Sequence, residues 1–346
     1  MRSQTLFGAP ARRVGGILLA TGLAVGALIG VGPASAALTC ARPATPGAQQ
    51  VDVVQGGVSR PVSIWVPKGY AGGAAPLLLW LHGSSSSGEA TLATKDAKGR
   101  PYLTDDADEH GYVLAAPTGA IPFNPTPDLK GWAWNIPGVP LVGSTTYPPA
   151  TAPDDVAYLS LAIDAISQAL CIDATRIYAT GASGGGRMAS QLACDMPDRI
   201  AAIAPIMGVR TPQASDNRPR TVECGQHRAV PTLAVHGTKD PVNVFTGGNA
   251  GSSWTYSTPE ALRRRAVLNH CDPAFPDFEM ATAHVRHWSF RCPAGADVEL
   301  YQVLDGGHTV PGSAVTPSLV PLIGPTNQEL DAPDALWSFL SRFRLG

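Results

Sequence analysis

The sequence predicts an α/β protein with a mostly parallel central sheet and helices on both faces, and three observations support this. Apolar runs such as 77–81 show no alternation, which is typical of strands covered on both faces. Amphipathic helical segments alternate with these runs, and this alternation favours a parallel sheet. Gly and Pro are frequent, at 37 and 32 of 346 residues, which indicates ordered loops on a rigid scaffold.

The predicted elements follow one another along most of the chain. Two strands at 50–54 and 61–66 flank a turn at Gln55-Gly56-Gly57. A helix begins at Asp154-Asp155 and carries apolar residues at helical spacing up to Cys171. Further strands are predicted at 77–81, 112–116, 176–180, 200–207, 231–235 and 298–304, and further helices at 187–193, 261–269 and 334–343.

Residues 1–36 have the pattern of a signal peptide. Three arginines precede or flank an apolar, uncharged stretch at 14–32, and Ala34-Ser35-Ala36 is a pattern that signal peptidase accepts. An uncleaved membrane anchor is the alternative, because the apolar stretch approaches spanning length. The cleavage pattern favours a secreted, extracellular protein, and we expect residues 37–346 to form a single domain.

The charge balance disfavours nucleic acids and anionic membranes as partners. Removal of the signal peptide and its three arginines leaves 22 basic and 27 acidic residues, a net charge of −5. No later segment is long and apolar enough to cross a bilayer. We therefore expect a monomer that contacts neither nucleic acid nor, after cleavage, the membrane.

Six cysteines follow the signal peptide, and an even number in an exported chain indicates three disulfides. Spacing alone does not choose among the fifteen pairings that are possible. Because Cys271 and Cys292 flank one excursion of the chain, we pair them first. A zinc site is the alternative, but the sequence has no C-x-x-C or H-x-x-x-H pair, and we expect no metal. The remaining pairs that we predict are Cys194–Cys224 and Cys40–Cys171.

Residues 181–185 have the pattern G-x-S-x-G between a predicted strand and a predicted helix. A serine nucleophile requires such a sharp turn, because its hydroxyl must project above the sheet. A glycine-rich turn between strand and helix can also bind phosphate, but the lysine-containing phosphate motif is absent from the sequence. We therefore predict that Ser183 is a nucleophile.

A serine at its ordinary pKa requires a base, and His308 is the best candidate. It follows two glycines directly after the last predicted strand, and it comes after Ser183 in the chain. His82 and His236 each precede a glycine at a strand end, and we expect them to shape the turns there. The other five histidines lie in regions without a site signal: His110, His227, His270, His284 and His287.

The base requires an acid that orients it, and Asp240 follows the predicted strand 231–235. Asp216 and Asp272 also lie between the serine and the histidine, but neither follows a clear strand. Asp305 is too close to His308 in the chain. The order serine, acid, histidine is that of the α/β-hydrolase fold.

The oxyanion of a tetrahedral intermediate requires fixed donors. We predict the backbone N–H of Gly184 as one donor and that of Ser84 or Ser85 as the other. The alternative for the serine-rich segment is a flexible polar loop. A long aromatic segment at 118–153 is predicted to cover the site. An aromatic platform for substrate is predicted from Trp132, Trp134 and Trp254, and the alternative is ordinary packing.

Four blocks of the chain resemble the secreted α/β-hydrolase esterase family of polyhydroxybutyrate depolymerases and feruloyl or acetylxylan esterases. The resemblance extends over roughly 63–343 and implies a triad of Ser183, Asp240 and His308, with Ser84 supplying an oxyanion N–H. Gly184 stands where members often have Asn, and Val310 where many have Trp. The blocks are Leu81-His82-Gly83-Ser84, the segment 176–183, the segment 236–241 and the segment 306–312.

The function that these patterns predict is hydrolysis of carboxylic esters through an acyl-enzyme, without a cofactor. The expected partner is an ester substrate, either small or attached to a polymer. The sequence leaves two alternatives to ester hydrolysis. A secreted acyltransferase would use the same triad, and a non-catalytic binding protein would have kept only the scaffold.

Overall fold

A ten-stranded sheet organises the part of the chain that this computed structural model describes, residues 40–125, 130–141, 144, 146–213, 223–248 and 256–346. The predicted signal peptide and Trp254 lie outside these residues. The strands are β1 (Gly47–Val51), β2 (Val54–Gln55), β3 (Val58–Ser59), β4 (Val62–Val66), β5 (Ala75–Leu81), β6 (Val113–Ala116), β7 (Ile121–Pro122), β8 (Trp132–Ala133), β9 (Ile172–Ala182), β10 (Ala202–Ile206), β11 (Thr232–Gly237), β12 (Asp272–Met280), β13 (Val285–Arg291) and β14 (Val298–Val303).

Helices connect many of these strands. They are α1 (Gly88–Leu92), α2 (Leu103–His110), α3 (Asp155–Ala169), α4 (Gly184–Asp195), α5 (Thr258–Leu268), α6 (Val320–Ile323) and α7 (Ala332–Leu340), with a 3₁₀ turn at Pro317–Leu319. Asp154 caps α3, because its side chain accepts hydrogen bonds from the N–H groups of Val156 and Ala157. The helix start that the sequence predicts at Asp154-Asp155 is confirmed.

The centre of the sheet is parallel, as predicted. The large sheet has the order β1-β4-β6-β5-β9-β10-β11-β14-β13-β12. The six strands from β6 to β14 in this order run parallel, and antiparallel strands extend the sheet at both edges. The carboxyl ends of all six parallel strands therefore lie along the same side of the sheet, and this is where ligands bind in such folds.

The central strand β5 shows why the sheet is covered on both faces. Leu77, Leu79 and Leu81 pack in one cluster with residues of α3 and α4. Leu78 and Trp80 point to the other face and pack with residues of α2 and α7. Because successive side chains of a strand point to opposite faces, a continuous apolar run requires this double cover.

Three regions differ from the prediction, and the first is the segment 88–110, which forms the unpredicted helices α1 and α2. β1 pairs directly with β4, and the predicted turn at Gln55-Gly56-Gly57 instead closes a separate small hairpin, β2–β3. The hairpin β12–β13 was not predicted as strands. β12 contains Pro273 and Pro276, which cannot donate ladder hydrogen bonds, and it lies at the sheet edge, where proline is tolerated.

Three disulfides link the chain in the predicted pairs, Cys40–Cys171, Cys194–Cys224 and Cys271–Cys292. The first ties the N-terminal segment to the residue that follows α3, and the second ties α4 to a loop that follows β10. The third closes the β12–β13 hairpin. Within the described ranges, no helix has the length and apolar character that crossing a bilayer requires.

The disulfides should stabilise the fold in the order of the loops that they close. Cys40 and Cys171 are 131 residues apart, whereas Cys271 and Cys292 are 21 apart. Chain-entropy estimates give about 5 kcal/mol for the longer loop and about 3 kcal/mol for the shorter. We expect the double alanine variant of the first pair to lose more unfolding free energy in urea than that of the second. The reverse order, or six titratable thiols on the native protein, would contradict this account.

Candidate active site

Ser183 lies on the turn between β9 and α4. Its φ and ψ are 55° and −114°, a left-handed conformation that is rare for a residue with a side chain. The surroundings impose this turn, since a Cβ on Gly185 would lie 1.9 Å from the carbonyl oxygen of Leu81. The backbone N–H of Ser183 also donates to Ile206 at 2.9 Å. The strained serine is therefore held between β5, β10 and the first turn of α4, as the G-x-S-x-G pattern predicts.

His308 and Asp240 are in direct contact. Nδ1 of His308 lies 2.7 Å from Oδ2 of Asp240, so this nitrogen carries the proton that the carboxylate accepts. The two residues follow β14 and β11, which are neighbours in the sheet. A Cβ on Gly237 would lie 2.2 Å from the carbonyl oxygen of Gly306, so glycine permits the two loops to meet.

Asp240 is a buried carboxylate with several donors. The N–H groups of Val242 and Asn243 donate to Oδ1, each at 2.8 Å. Nε2 of His236 lies 3.2 Å from Oδ2, the oxygen that also accepts from His308. Burial alone would raise the pKa of Asp240, but the hydrogen bonds from the two histidines outweigh burial and hold this pKa well below its ordinary value. The carboxylate is therefore ionised at neutral pH.

His236 contacts Asp240 directly, whereas the sequence predicts only that it shapes the turn after its strand. Its Nε2 lies 2.8 Å from the carbonyl oxygen of Asn243, and its Nδ1 lies 2.8 Å from the hydroxyl of Thr258. A carbonyl only accepts, so Nε2 carries the proton and the hydroxyl donates to Nδ1. The four-residue separation between His236, near the end of β11, and Asp240, in the loop that follows, is the signal that could have indicated this contact.

Ser84 and Gly184 lie side by side at the same edge of the sheet. A Cβ on Gly184 would lie 2.8 Å from Oγ and 3.4 Å from N of Ser84. The N–H of Ser85 instead donates to the carbonyl of Trp132 at 3.0 Å, and this hydrogen bond directs it away from an oxyanion at Gly184. Of the two serines that the sequence left open, the structure places only the backbone N–H of Ser84 beside Gly184.

The two described tryptophans have different surroundings. Trp134 is buried, its Nε1 donates to the carbonyl of His82 at 2.9 Å, and it borders a narrow cleft next to Gly184. Trp132 is 39% exposed and lines a separate cavity of about 390 Å³ with Arg60 and Tyr158. The structure does not bring the two indoles into one platform, and the third predicted member, Trp254, lies outside the described residues.

His82 is buried and contacts two residues of the segment 118–153, Gly119 and Trp134. Its side chain is only 2% exposed, and its ring lies 4.8 Å from that of Trp134 between centroids. Nδ1 lies 2.7 Å from the carbonyl oxygen of Gly83, and Nε2 accepts from the N–H of Gly119 at 3.0 Å. Burial lowers the pKa of His82 to about 4, so the ring is neutral at pH 7. Its role in shaping the turn after β5, which the sequence predicts, agrees with these contacts.

One group of three possible metal ligands occurs among the described residues, Asp106, His110 and Asp334. These side chains already have protein partners. The hydroxyl of Tyr112 donates to Asp106 at 2.6 Å, and Nε2 of His110 lies 3.2 Å from Asp334. Hydrogen bonds within the protein therefore account for the grouping.

No protein-family profile matches the chain. Feruloyl esterase B of Piromyces equi is 32% identical over 258 residues, which are 72% of this chain and 42% of that protein. A protein named "Probable feruloyl esterase C" from Aspergillus oryzae is 30% identical over 239 residues, 66% of this chain and 67% of that one. The chain thus spans less than half the length of the Piromyces protein.

A solved structure has the same fold. The acetyl xylan esterase from Aspergillus awamori aligns with a TM-score of 0.52 at 14% identity, covering 76% of this chain and 94% of that one. At this identity, the likeness concerns the α/β-hydrolase fold alone, with its mostly parallel sheet between helices.

Acid should destabilise the folded protein through His82. The unfolded chain binds a proton near pH 6.5, whereas the folded ring does so only near pH 4, so lowering the pH between these values favours unfolding. The stability lost through this residue is about 3 kcal/mol. We expect the unfolding free energy of wild type to fall more steeply from pH 7 to pH 4 than that of His82→Asn. Urea titrations with equal pH slopes for both proteins would contradict this assignment.

Proposed function

This chain belongs to the feruloyl esterase family of carboxylic-ester hydrolases, and we propose that it hydrolyses carboxylic esters through Ser183, His308 and Asp240. The observation that carries the proposal is the 2.7 Å contact between His308 and Asp240 at the edge of the sheet where Ser183 occupies its strained turn. Because Nδ1 of His308 holds a proton for the carboxylate, its Nε2 is left as a base.

In the first half of the reaction, Oγ of Ser183 attacks the ester carbonyl while Nε2 of His308 takes the hydroxyl proton. The electron pair of the carbonyl π bond moves to its oxygen, which becomes an oxyanion. The N–H groups of Gly184 and Ser84 donate hydrogen bonds to this oxygen. The partial positive charge at the N-terminus of α4 also stabilises the negative oxygen. The oxyanion then re-forms the carbonyl, the bond from this carbon to the alcohol oxygen breaks, and Nε2 of His308 gives its proton to that oxygen, so that an acyl-enzyme remains.

In the second half, water attacks the acyl carbon while His308 takes one of its protons. The new oxyanion collapses, the bond to Oγ of Ser183 breaks, and the proton returns to the serine as the acid leaves. Asp240 stays ionised throughout and stabilises the imidazolium that forms in each half. Its four donors and its burial hold the carboxylate in place during both steps.

The proposed substrate is a carboxylic ester whose acyl carbon reaches Oγ of Ser183. The cleft beside Gly184, lined among others by Ser84, Trp134 and Arg187, encloses only about 10 Å³, which is too small for an acyl group, so the relatives and not this cleft indicate the substrate class. The named relatives are feruloyl esterases. We therefore propose feruloyl or short acyl esters, either free or attached to a polysaccharide.

We further propose that the protein is secreted and acts outside the cell. The signal-peptide pattern at 1–36 and the three disulfides support this location. In this proposal residues 37–346 form the catalytic domain, and the segment 118–153 covers the site.

Replacing the nucleophile should abolish turnover and leave the fold intact. We expect Ser183→Ala to lose at least about 10⁴-fold in kcat, because the oxyanion donors alone give only residual catalysis. Feruloyl, acetylxylan, short acyl and hydroxyalkanoate esters form the assay panel, with thermal unfolding as the check on folding. Ser341→Ala is the matched control, since Ser341 is exposed at the end of α7. Undiminished turnover by Ser183→Ala on any ester that wild type cleaves would refute the proposal.

Removing the charge at Asp240 should affect kcat far more than KM. In Asp240→Asn the amide can hold His308 in the wrong tautomer and no longer stabilises the imidazolium, and we expect a loss of about 10³- to 10⁴-fold in kcat. Asp305→Asn is the control, because Asp305 is an exposed residue that forms an ion pair with Lys239. Steady-state kinetics on the best ester of the panel measures both, and equal activities of the two variants would rule out Asp240 as the acid.

A further inference from the structure

The peptide unit between Gly83 and Ser84 has two polar ends. One is the carbonyl oxygen of Gly83, and the other is the N–H of Ser84, which lies beside Gly184. In a planar trans peptide these two groups point in opposite directions. Any contact that fixes the direction of the carbonyl of Gly83 therefore also fixes the direction of the N–H of Ser84.

The imidazole of His82 makes such a contact. Its Nδ1 lies 2.7 Å from the oxygen of Gly83, and its Nε2 lies 3.0 Å from the nitrogen of Gly119. The carbonyl can only accept and the amide can only donate, so both bonds form only when the ring is neutral and protonated on Nδ1. The low pKa of the buried ring keeps it neutral at pH 7.

The main-chain carbonyl of His82 and the face of its ring also have partners in the protein. Its own carbonyl accepts from Nε1 of Trp134 at 2.9 Å, and the two rings lie against each other. Gly119 and Trp134 both belong to the segment 118–153. This segment therefore holds the ring and the main chain of His82 from two positions.

We propose that His82 is a positioning residue that aims the N–H of Ser84 at the developing oxyanion. The ring fixes the carbonyl of Gly83, and the other end of the same peptide unit then faces the space beside the N–H of Gly184. This inference rests on the proposed ester hydrolysis and deepens it. It also gives the segment 118–153 a function, because its backbone N–H at Gly119 selects the tautomer of the ring.

The effect should appear in the transition state and not in substrate binding. Loss of a whole oxyanion donor costs about 10²- to 10³-fold in kcat. A donor that remains but points in the wrong direction should lower kcat by less than a missing donor does, about 10- to 100-fold. KM should change little, because the ester carbonyl gains full negative charge only after attack.

Two variants separate the two bonds of the ring. In His82→Asn the amide nitrogen can take the position of Nδ1 and donate to Gly83, but the bond to Gly119 is lost. In His82→Gln the amide oxygen can reach the position of Nε2 and accept from Gly119, but the bond to Gly83 is lost. Each variant loses one hydrogen bond and the ring, so a role in stability alone would affect both alike.

We expect His82→Gln to lose about 10- to 100-fold in kcat at nearly constant KM, and His82→Asn to stay within about threefold of wild type. An aryl boronic acid, which bonds to a serine Oγ and places an oxygen among the oxyanion donors, should lose the same factor in affinity for His82→Gln. Tyr178→Phe is the control for loss of a buried hydrogen bond, since its hydroxyl donates to Phe343 far from these donors.

Equal kcat values for the two variants, or a larger loss in His82→Asn, would overturn the inference. The ¹⁵N shifts of His82 in wild type test it without any variant, and a proton on Nε2 at pH 7 would also overturn it. If wild type cleaves no ester and binds no boronic acid, the proposed function itself fails. If wild type is active and the two His82 variants have equal kcat values, only the proposed role of His82 fails, and the proposed function stands.

Discussion

The close packing of β5, β9 and α4 around Ser183 is the constraint on which the candidate site depends. The carbonyl of Leu81 lies so close to Gly185 that no larger residue fits between the strand and the helix. This contact forces the main chain of Ser183 into a left-handed conformation that it would otherwise avoid. The core on both faces of β5 supplies the packing energy that holds this conformation.

The parallel sheet then brings the other groups to the serine. β9, β10, β11 and β14 are consecutive neighbours, so the loops that follow them meet at one edge. β5 lies on the other side of β9, and its loop brings Ser84 beside Gly184. His308 and Asp240 therefore follow strands on one side of β9, and Ser84 follows the strand on its other side.

Much of this arrangement could be predicted from the sequence, because local patterns encode it. The apolar run of β5, the G-x-S-x-G turn and the glycines before His308 all depend on neighbours in the chain. The local pattern left Ser84 and Ser85 open and only the family resemblance favoured Ser84, because the distinction depends on Trp132, which lies 47 residues beyond Ser85 and takes the N–H of Ser85. The contacts of His82 with Gly119 and of His236 with Thr258 are of the same long-range kind. The edge hairpin β12–β13 was missed because its prolines are allowed only at an edge, which the local pattern does not reveal.

Whether His308 activates Ser183 can be measured by reaction with a fluorophosphonate, followed by mass spectrometry of the modified peptide. This reagent forms a stable bond only with a serine whose hydroxyl is activated by a base. We expect one phosphonyl group per chain, on Ser183, and a labelling rate that falls by at least about 10³-fold in His308→Ala. Modification of another residue, or an unchanged rate without His308, would contradict this expectation.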